Sequence, residues 1–198
     1  GSKGFVQQPG IEPAEAAGIR QEEMGALASR LGAEYICLGE PDEFLYDTAE
    51  VRLGLIEAIR QTRAELVFTH YPDDYNQDHA TTSLLVRHCV MQAALPVLPT
   101  ASPPLGAVPA VFLVSPHGPF EFVPTHFVDI TDYEAEKVGL LQCRASQEQA
   151  MELAVGAGFE ALCRRPDSYW GEQVGCAFAE CFVPLRSRGT MKPFPVLP

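Results

Sequence analysis

Between Glu65 and Pro96 the chain passes from a short, nearly continuous apolar run, Glu65-Leu66-Val67-Phe68-Thr69-His70, into a stretch whose apolar residues recur at helical spacing. A run without polar alternation is the pattern of a strand buried on both faces in a parallel sheet. Parallel strands need a crossover connection, usually a helix. The following stretch suits one: Asp78 is placed to cap it, and Leu84, Leu85, Cys89 and Ala93 carry an apolar face up to Pro96. Upstream, helical spacing from about Glu12 to Leu31 is closed by Gly32, the β-type run Tyr35–Leu38 follows, and Val51, Leu55 and Ile59 mark a helix ending near Arg63. Helix then strand, twice over, predicts an α/β fold.

The second half repeats the pattern less cleanly. Pro96 to Pro109 is rich in proline, but the strand Ala110–Ser115 resumes at once, so a long surface loop is expected there and not a domain boundary. Thr125–Ile130 reads as another strand, and Thr131-Asp132-Tyr133-Glu134 as a capping box for a helix reaching about Ser146. The apolar tail Val174–Val183 is expected to add an edge strand. With 198 residues, 46% of them hydrophobic, the chain can build one core, and residues 1–198 are expected to form a single domain.

Composition excludes some functions. A formal net charge of -12 works against any surface that tracks phosphates, so nucleic acid is not an expected partner. No apolar run reaches membrane-spanning length. The six cysteines, scattered without CxxC spacing, read as buried thiols of a reducing cytoplasm and not as a zinc ribbon or disulfide framework.

Ligand-type side chains are densest in His70-Tyr71-Pro72-Asp73-Asp74-Tyr75-Asn76-Gln77-Asp78-His79, between the apolar strand and the helix. In open α/β sheets ligands bind at the carboxyl ends of strands, so position and composition agree. Turn formation alone would account for some of these aspartates, with Asp78 as a cap and His79 as an ordinary first-turn residue. The cluster nevertheless holds more carboxylate and imidazole groups than a turn requires.

The segment Phe68 to His79 resembles the second motif of the PIG-L and LmbE-like zinc-dependent N-deacetylases, the GlcNAc-PI de-N-acetylase superfamily. Arg20 with Glu23 and Leu31-Gly32, Pro41-Asp42, the stretch Pro124 to Thr131, Lys137, Ser146-Gln147 and Ala179-Glu180 resemble further family positions in the same order. The resemblance implies a Rossmann-like, mostly parallel sheet with helices on both faces. The family's first motif, Ala-His-Pro-Asp-Asp, is not among these 198 residues, so the resemblance implies a βα unit and first strand upstream of Gly1, on the order of 30 residues or more. By the same resemblance His79 completes the metal site. Asn76 stands where the family usually has a histidine, and Asp78 where an aspartate orients that histidine. Arg20 and Asp42 would hold substrate hydroxyls or a charged aglycone. The implied cofactor is Zn2+ or another divalent metal, held by two histidines and one aspartate with a position open for water. The implied reaction is hydrolysis of an N-acetyl amide on an N-acetylglucosamine conjugate, so the expected partner is a small glycoside, and a homo-oligomer is allowed. The rival expectation is a non-catalytic sugar-binding or regulatory relative, favoured by Asn76 and by the first motif's absence.

Other residues carry less. His79 and His88 are nine apart, on opposite faces of one helix. His117 follows a strand and is a candidate to line the same pocket, His126 fits the family pattern, and Tyr169 and Trp170 are expected in a loop, folded onto the body or forming a sugar-stacking lid.

Overall fold

The computed structural model describes residues 2–117 and 121–186. Along it run α1 (Pro13–Leu31), α2 (Ala49–Gln61), β1 (Leu66–Thr69), α3 (Gln77–Gln92), β2 (Ala110–Val114), β3 (His126–Asp129), α4 (Glu134–Leu141), α5 (Ala145–Val155), α6 (Phe159–Val174) and β4 (Ala179–Pro184). This is a mixed α/β fold whose described strands form one sheet of order β1-β2-β4-β3. The chain divides into two compact units, one of residues up to Glu43 with Phe127–Glu180, the other of Phe44–His126 with residues from Cys181 on.

In the second of these units, β1 and β2 pair in parallel, Leu66 opposite Ala110 and Thr69 opposite Leu113, with α3 in the connection between them. Ile56 and Ile59 of α2, Val86, Cys89 and Val90 of α3 with Ala93 just beyond it, and Val111 and Leu113 of β2 form one buried cluster. Each large aliphatic chain removed from water there contributes about 1.5–3 kcal/mol. Burial also pushes the Cys89 thiol up to about 11. The expectation that β1 is covered on both faces is not met: it is an end strand and Phe68 is 53% exposed. The tail strand differs in the other sense, since β4 lies inside the sheet, antiparallel to β2, with Phe112 opposite Pro184. The expected sheet was mostly parallel; among the described residues β1 and β2 are the pair that is.

The proline-rich connector stays within this unit because a buried arginine holds it. Arg60 is 2% exposed and donates to the carbonyls of Ala93 (2.9 Å), Leu95 (2.6 Å) and Leu98 (3.2 Å) and to the Thr100 hydroxyl. Glu57 accepts from the Ser102 amide at 3.0 Å and its hydroxyl at 2.7 Å.

In the first unit α1 ends as its sequence demands. Gly32 takes φ 63°, a left-handed conformation that costs glycine little, and the Ala33 amide returns to the Ala28 carbonyl at 2.8 Å. Tyr35–Leu38 takes no regular secondary structure and does not join the described sheet, leaving Tyr35 39% and Leu38 41% exposed. The capping box does not form: Thr131 accepts from the Phe178 amide at 3.3 Å instead, and the Glu134 side chain turns inward. The helix expected to reach Ser146 stops at Leu141 and α5 begins at Ala145. No helix was expected beyond Ser146, yet α6 places Tyr169 and Trp170 on a helix, where Trp170 packs on Phe127. Pro166 inside α6 masks its helical signal. Gly171 is required there, since a Cβ would lie 2.8 Å from the Cys176 and Ala177 backbone.

A polar knot closes this unit. Lys137 donates to Asp167 and to Glu180, each at 2.6 Å, and although burial works against its charge, those carboxylates hold its pKa above the usual lysine range. Beside them Glu134 is 2% exposed, its carboxyl set against that of Asp167. Burial, then the charge of Asp167, push its pKa up. The folded chain therefore binds this proton more tightly than the unfolded chain, so its contribution is complete below the ordinary carboxylate range and is lost as pH rises through the raised value. Urea unfolding across a pH series should show that decline in the wild type, and Glu134→Gln should flatten it; an unchanged slope in the variant would contradict the assignment.

Candidate metal centre

The ligand-rich turn lies where β1 stops and α3 begins. His70 is the first residue beyond the strand. Asp74 Oδ1 accepts from the Asn76 amide at 2.9 Å, closing the turn two residues on, as aspartate does in Asx turns. Asn76, and not Asp78, caps the helix: its Oδ1 accepts from the amides of Asp78 (2.8 Å) and His79 (3.2 Å). The cap was misassigned by two residues because asparagine and aspartate are equally good caps and both stand here. Asp78 sits in the first helical turn, and its Oδ1 accepts from the Leu45 amide at 3.1 Å, tying the preceding loop to the helix start.

At the centre of the turn, Asp74 and His79 are in contact. The Asp74 side chain is only 2% exposed, against 31% for His79, and both its carboxylate oxygens lie 3.2 Å from His79 Nδ1. A carboxylate so enclosed calls for donors; the Asn76 amide supplies one, and His79 Nδ1 lies within hydrogen-bond distance. The His70 ring stacks on the His79 ring, centroids 4.1 Å apart and planes within 4°, while Tyr75 meets His79 edge-on at 6.1 Å. Burial lowers the His70 pKa, and the charge of His79 lowers it further; Asp74 opposes, and His117 adds a smaller lowering. His117 thus shares the neighbourhood of His70, though it is itself exposed.

His70, Asp74 and His79 can each offer a ligand atom within 4.8 Å of the others. Two imidazoles and a carboxylate are the donor chemistry of catalytic zinc sites. In composition the group matches a divalent-ion site of that kind. His79 was expected at this centre; His70 and Asp74 were seen only as part of its crowded turn. Their roles had no sequence signal beyond composition, since the pairing across five positions arises from the turn.

The remaining candidates have other partners. His88 is exposed, with Nδ1 3.5 Å from Arg52. His126 packs edge-on against Phe112 and contacts the Thr125 hydroxyl at 3.0 Å. In the other unit, the Arg20 guanidinium lies over the Phe5 ring at 5.2 Å, its three nitrogens enclosed and without a hydrogen-bond partner among the described residues. Burial lowers its pKa, Glu23 opposes, Arg144 adds to the fall and Asp42 opposes. Glu23 holds Ser146 through its amide (2.7 Å) and hydroxyl (2.6 Å), and Asp42 accepts from the Lys3 amide at 2.7 Å. Of the cysteines, Cys89 and Cys181 are buried and Cys37 is exposed, so the expectation of six buried thiols holds only in part; all six are free.

Residues 1–90 match the GlcNAc-PI de-N-acetylase family, PIG-L. A solved structure of the conserved protein TT1542 from Thermus thermophilus is 30% identical, with a TM-score of 0.71 and coverage of 90% of this chain and 74% of that one. The chain belongs to the PIG-L family. Two further structures share the PIG-L fold seen here at a TM-score of 0.75 and 25% identity. One is N,N'-diacetylchitobiose deacetylase from Pyrococcus horikoshii, covering 92% of this chain and 69% of that one. The other is GalB, the 4-carboxy-2-hydroxymuconate hydratase from Pseudomonas putida KT2440, covering 94% and 79%. The position of His79 in this PIG-L chain, in the first turn of the helix that follows a parallel strand, is where α/β folds gather their ligands.

The cap geometry gives a stability test. Asn76→Ala removes the acceptor for two amides and should cost about 1 kcal/mol, whereas Asn76→Asp keeps an acceptor and should cost a few tenths at most. Equal losses in urea denaturation would show that the side chain does not cap α3.

Proposed function

We propose that this chain catalyses hydrolysis of an N-acetyl group on an N-acetylglucosamine-containing conjugate, with zinc bound through His79. The observation that carries the reading is the half-exposed imidazole of His79, backed by an enclosed carboxylate at the carboxyl end of β1, in a chain of the PIG-L family. The named activity of the Pyrococcus horikoshii relative, a deacetylase of N,N'-diacetylchitobiose, supports the substrate class. A zinc ion bound there would polarise the amide carbonyl and make a water acidic enough to attack near neutral pH.

The chain's own residues take the following parts. Water adds its oxygen to the acetyl carbon, the C–N bond breaks, and the nitrogen leaves as an amine after gaining a proton. Asn76 would donate a hydrogen bond from its amide to the developing oxyanion, its carbonyl end being used by the helix cap. It cannot deliver the amine's proton as a histidine would, so that step falls to another group. Asp78 would hold the helix start and the Leu45 loop in place beside it. The resemblance matches none of these 198 residues to the family's general-base aspartate. Arg20 and Asp42 would hold substrate hydroxyls, and the guanidinium nitrogens of Arg20, which have no hydrogen-bond partner among the described residues, are donors suited to that task. Free thiols and the lack of a described helix able to cross a membrane suit a cytoplasmic setting.

Full-length protein loaded with zinc and given diacetylchitobiose or another N-acetylglucosamine conjugate should release acetate, and His79→Ala should lose both bound zinc and acetate release. Unchanged zinc stoichiometry in that variant would refute the ligand assignment. Sugar binding without acetate release would support the non-catalytic alternative. Within the active protein, Asn76→Asp should keep metal and cap but lower turnover by a factor of about 100 to 1,000, the usual cost of one oxyanion donor. Asn76→His should keep or raise turnover and add a titration near the histidine range. Full turnover in Asn76→Asp would leave Asn76 as a cap alone.

A further inference from the structure

The contact between Asp74 and His79 determines which nitrogen of His79 can meet a cation. Both Asp74 oxygens stand 3.2 Å from Nδ1, so the ring N–H axis points between them. A zinc ion on that axis would lie about 2.0–2.1 Å from the nitrogen. It would then fall only about 1.5 Å from each oxygen, well inside the roughly 2.0–2.2 Å of a zinc–carboxylate bond. With the ring where it stands, there is room for a proton between these groups and none for a metal. Asp74 is also held from the other side, since Oδ1 accepts from the Asn76 amide at 2.9 Å, and at 2% side-chain exposure it has almost no open face.

The stacked His70 ring narrows the geometry further. An imidazole binds a metal along a lone pair in its own plane. Two rings within 4° of parallel, with centroids 4.1 Å apart, have planes separated by roughly the thickness of an aromatic ring, so an ion in the plane of one lies far out of the plane of the other. His70 is thus a packing partner that covers one face of His79, and it becomes a co-ligand only if a ring turns.

We propose that Asp74 is the positioning carboxylate of His79: it holds the imidazole with Nδ1–H toward itself, leaving Nε2 as the atom offered to a divalent cation. Histidines that bind metals commonly donate their other N–H to a carboxylate in this way, which sets both the tautomer and the aim of the ring. The inference deepens the proposed function and rests on His79 as a metal ligand, but the tautomer exists without metal and can be read separately.

Long-range 15N–1H correlation on the metal-free protein above pH 8, with the His79 signals assigned by His79→Gln, gives the tautomer directly. Wild type should show Nδ1–H and an unprotonated Nε2; the opposite tautomer, or a rapid mixture, would overturn the proposal. Asp74→Asn retains an acceptor and should keep the Nδ1–H form, whereas Asp74→Ala should release it. Zinc affinity by chelator competition should fall about 10- to 100-fold in Asp74→Ala, with one ion per chain retained, and less in Asp74→Asn. Loss of stoichiometric zinc in both variants, each folded by circular dichroism, would make Asp74 a ligand and sink the positioning role. If His79→Ala leaves zinc binding intact, the deacetylase reading loses its metal ligand, while the wild-type tautomer still reports on the Asp74 contact alone.

Discussion

Two strands that run in parallel cannot be joined by a tight turn, because the chain must return to the starting edge before the second strand begins. In this protein that return is made by α3, and its inner residues Val86, Cys89 and Val90 share a buried cluster with Val111 and Leu113 of β2. The pairing of Leu66–Thr69 with Ala110–Leu113 therefore sets where α3 must start as well as where β1 must end. The residues between the two are left at the strand's carboxyl end with only a turn to form. The ligand-rich turn is placed by this packing, to which Tyr71 of the turn itself contributes.

Within that turn, electrostatics and backbone satisfaction point the same way. The first amides of a helix lack internal partners and carry partial positive charge. Asn76 Oδ1 takes two of them, and the enclosed Asp74 carboxylate takes the Asn76 amide just before the helix, where negative charge is favoured. Asp74 is thereby stabilised as an acceptor, and its remaining direction is filled by His79 Nδ1. A ring stacked on one face by His70 and held at Nδ1 by a buried group has little rotational freedom left.

How much of this could be read in advance depended on whether a pattern was local. The helix over residues 12–31 with its Gly32 stop, the strand at 66–69 and the helix after the turn were legible because periodicity and cap chemistry lie within a few residues of each other. The capping box at Thr131 was not, because the Phe178 amide, 47 positions away, competes for the same hydroxyl. The inner place of β4 was equally hidden, since a strand's neighbours are a matter of topology and not of its own residues. The absence of a ladder at Tyr35–Leu38 follows the same logic: a segment of β-forming residues becomes a strand only beside another. At the metal centre, the type of residue was visible and the geometry was not. Nothing in the order Asp74 to His79 says that a carboxylate will close on an imidazole five positions on.

The residue at position 76 shows how a scaffold limits chemistry. On the proposed reading it must accept hydrogen bonds from two backbone amides and also present a donor to a developing oxyanion. An asparagine amide divides these tasks between its two ends, the oxygen facing the helix and the nitrogen remaining for the reaction. A neutral histidine there would offer one nitrogen as acceptor and the other as donor, whereas a protonated one could release a proton but would leave no acceptor for the cap. Replacing it with asparagine keeps both hydrogen-bonding tasks, strengthens the cap and gives up the acid. The substitution is thus compatible with an intact fold and metal centre, and what it changes is confined to the departure of the amine. That also bears on kinship: TT1542, the chitobiose deacetylase and the GalB hydratase share this fold. Differences in what such proteins do must then arise from their sites and not from the fold they share.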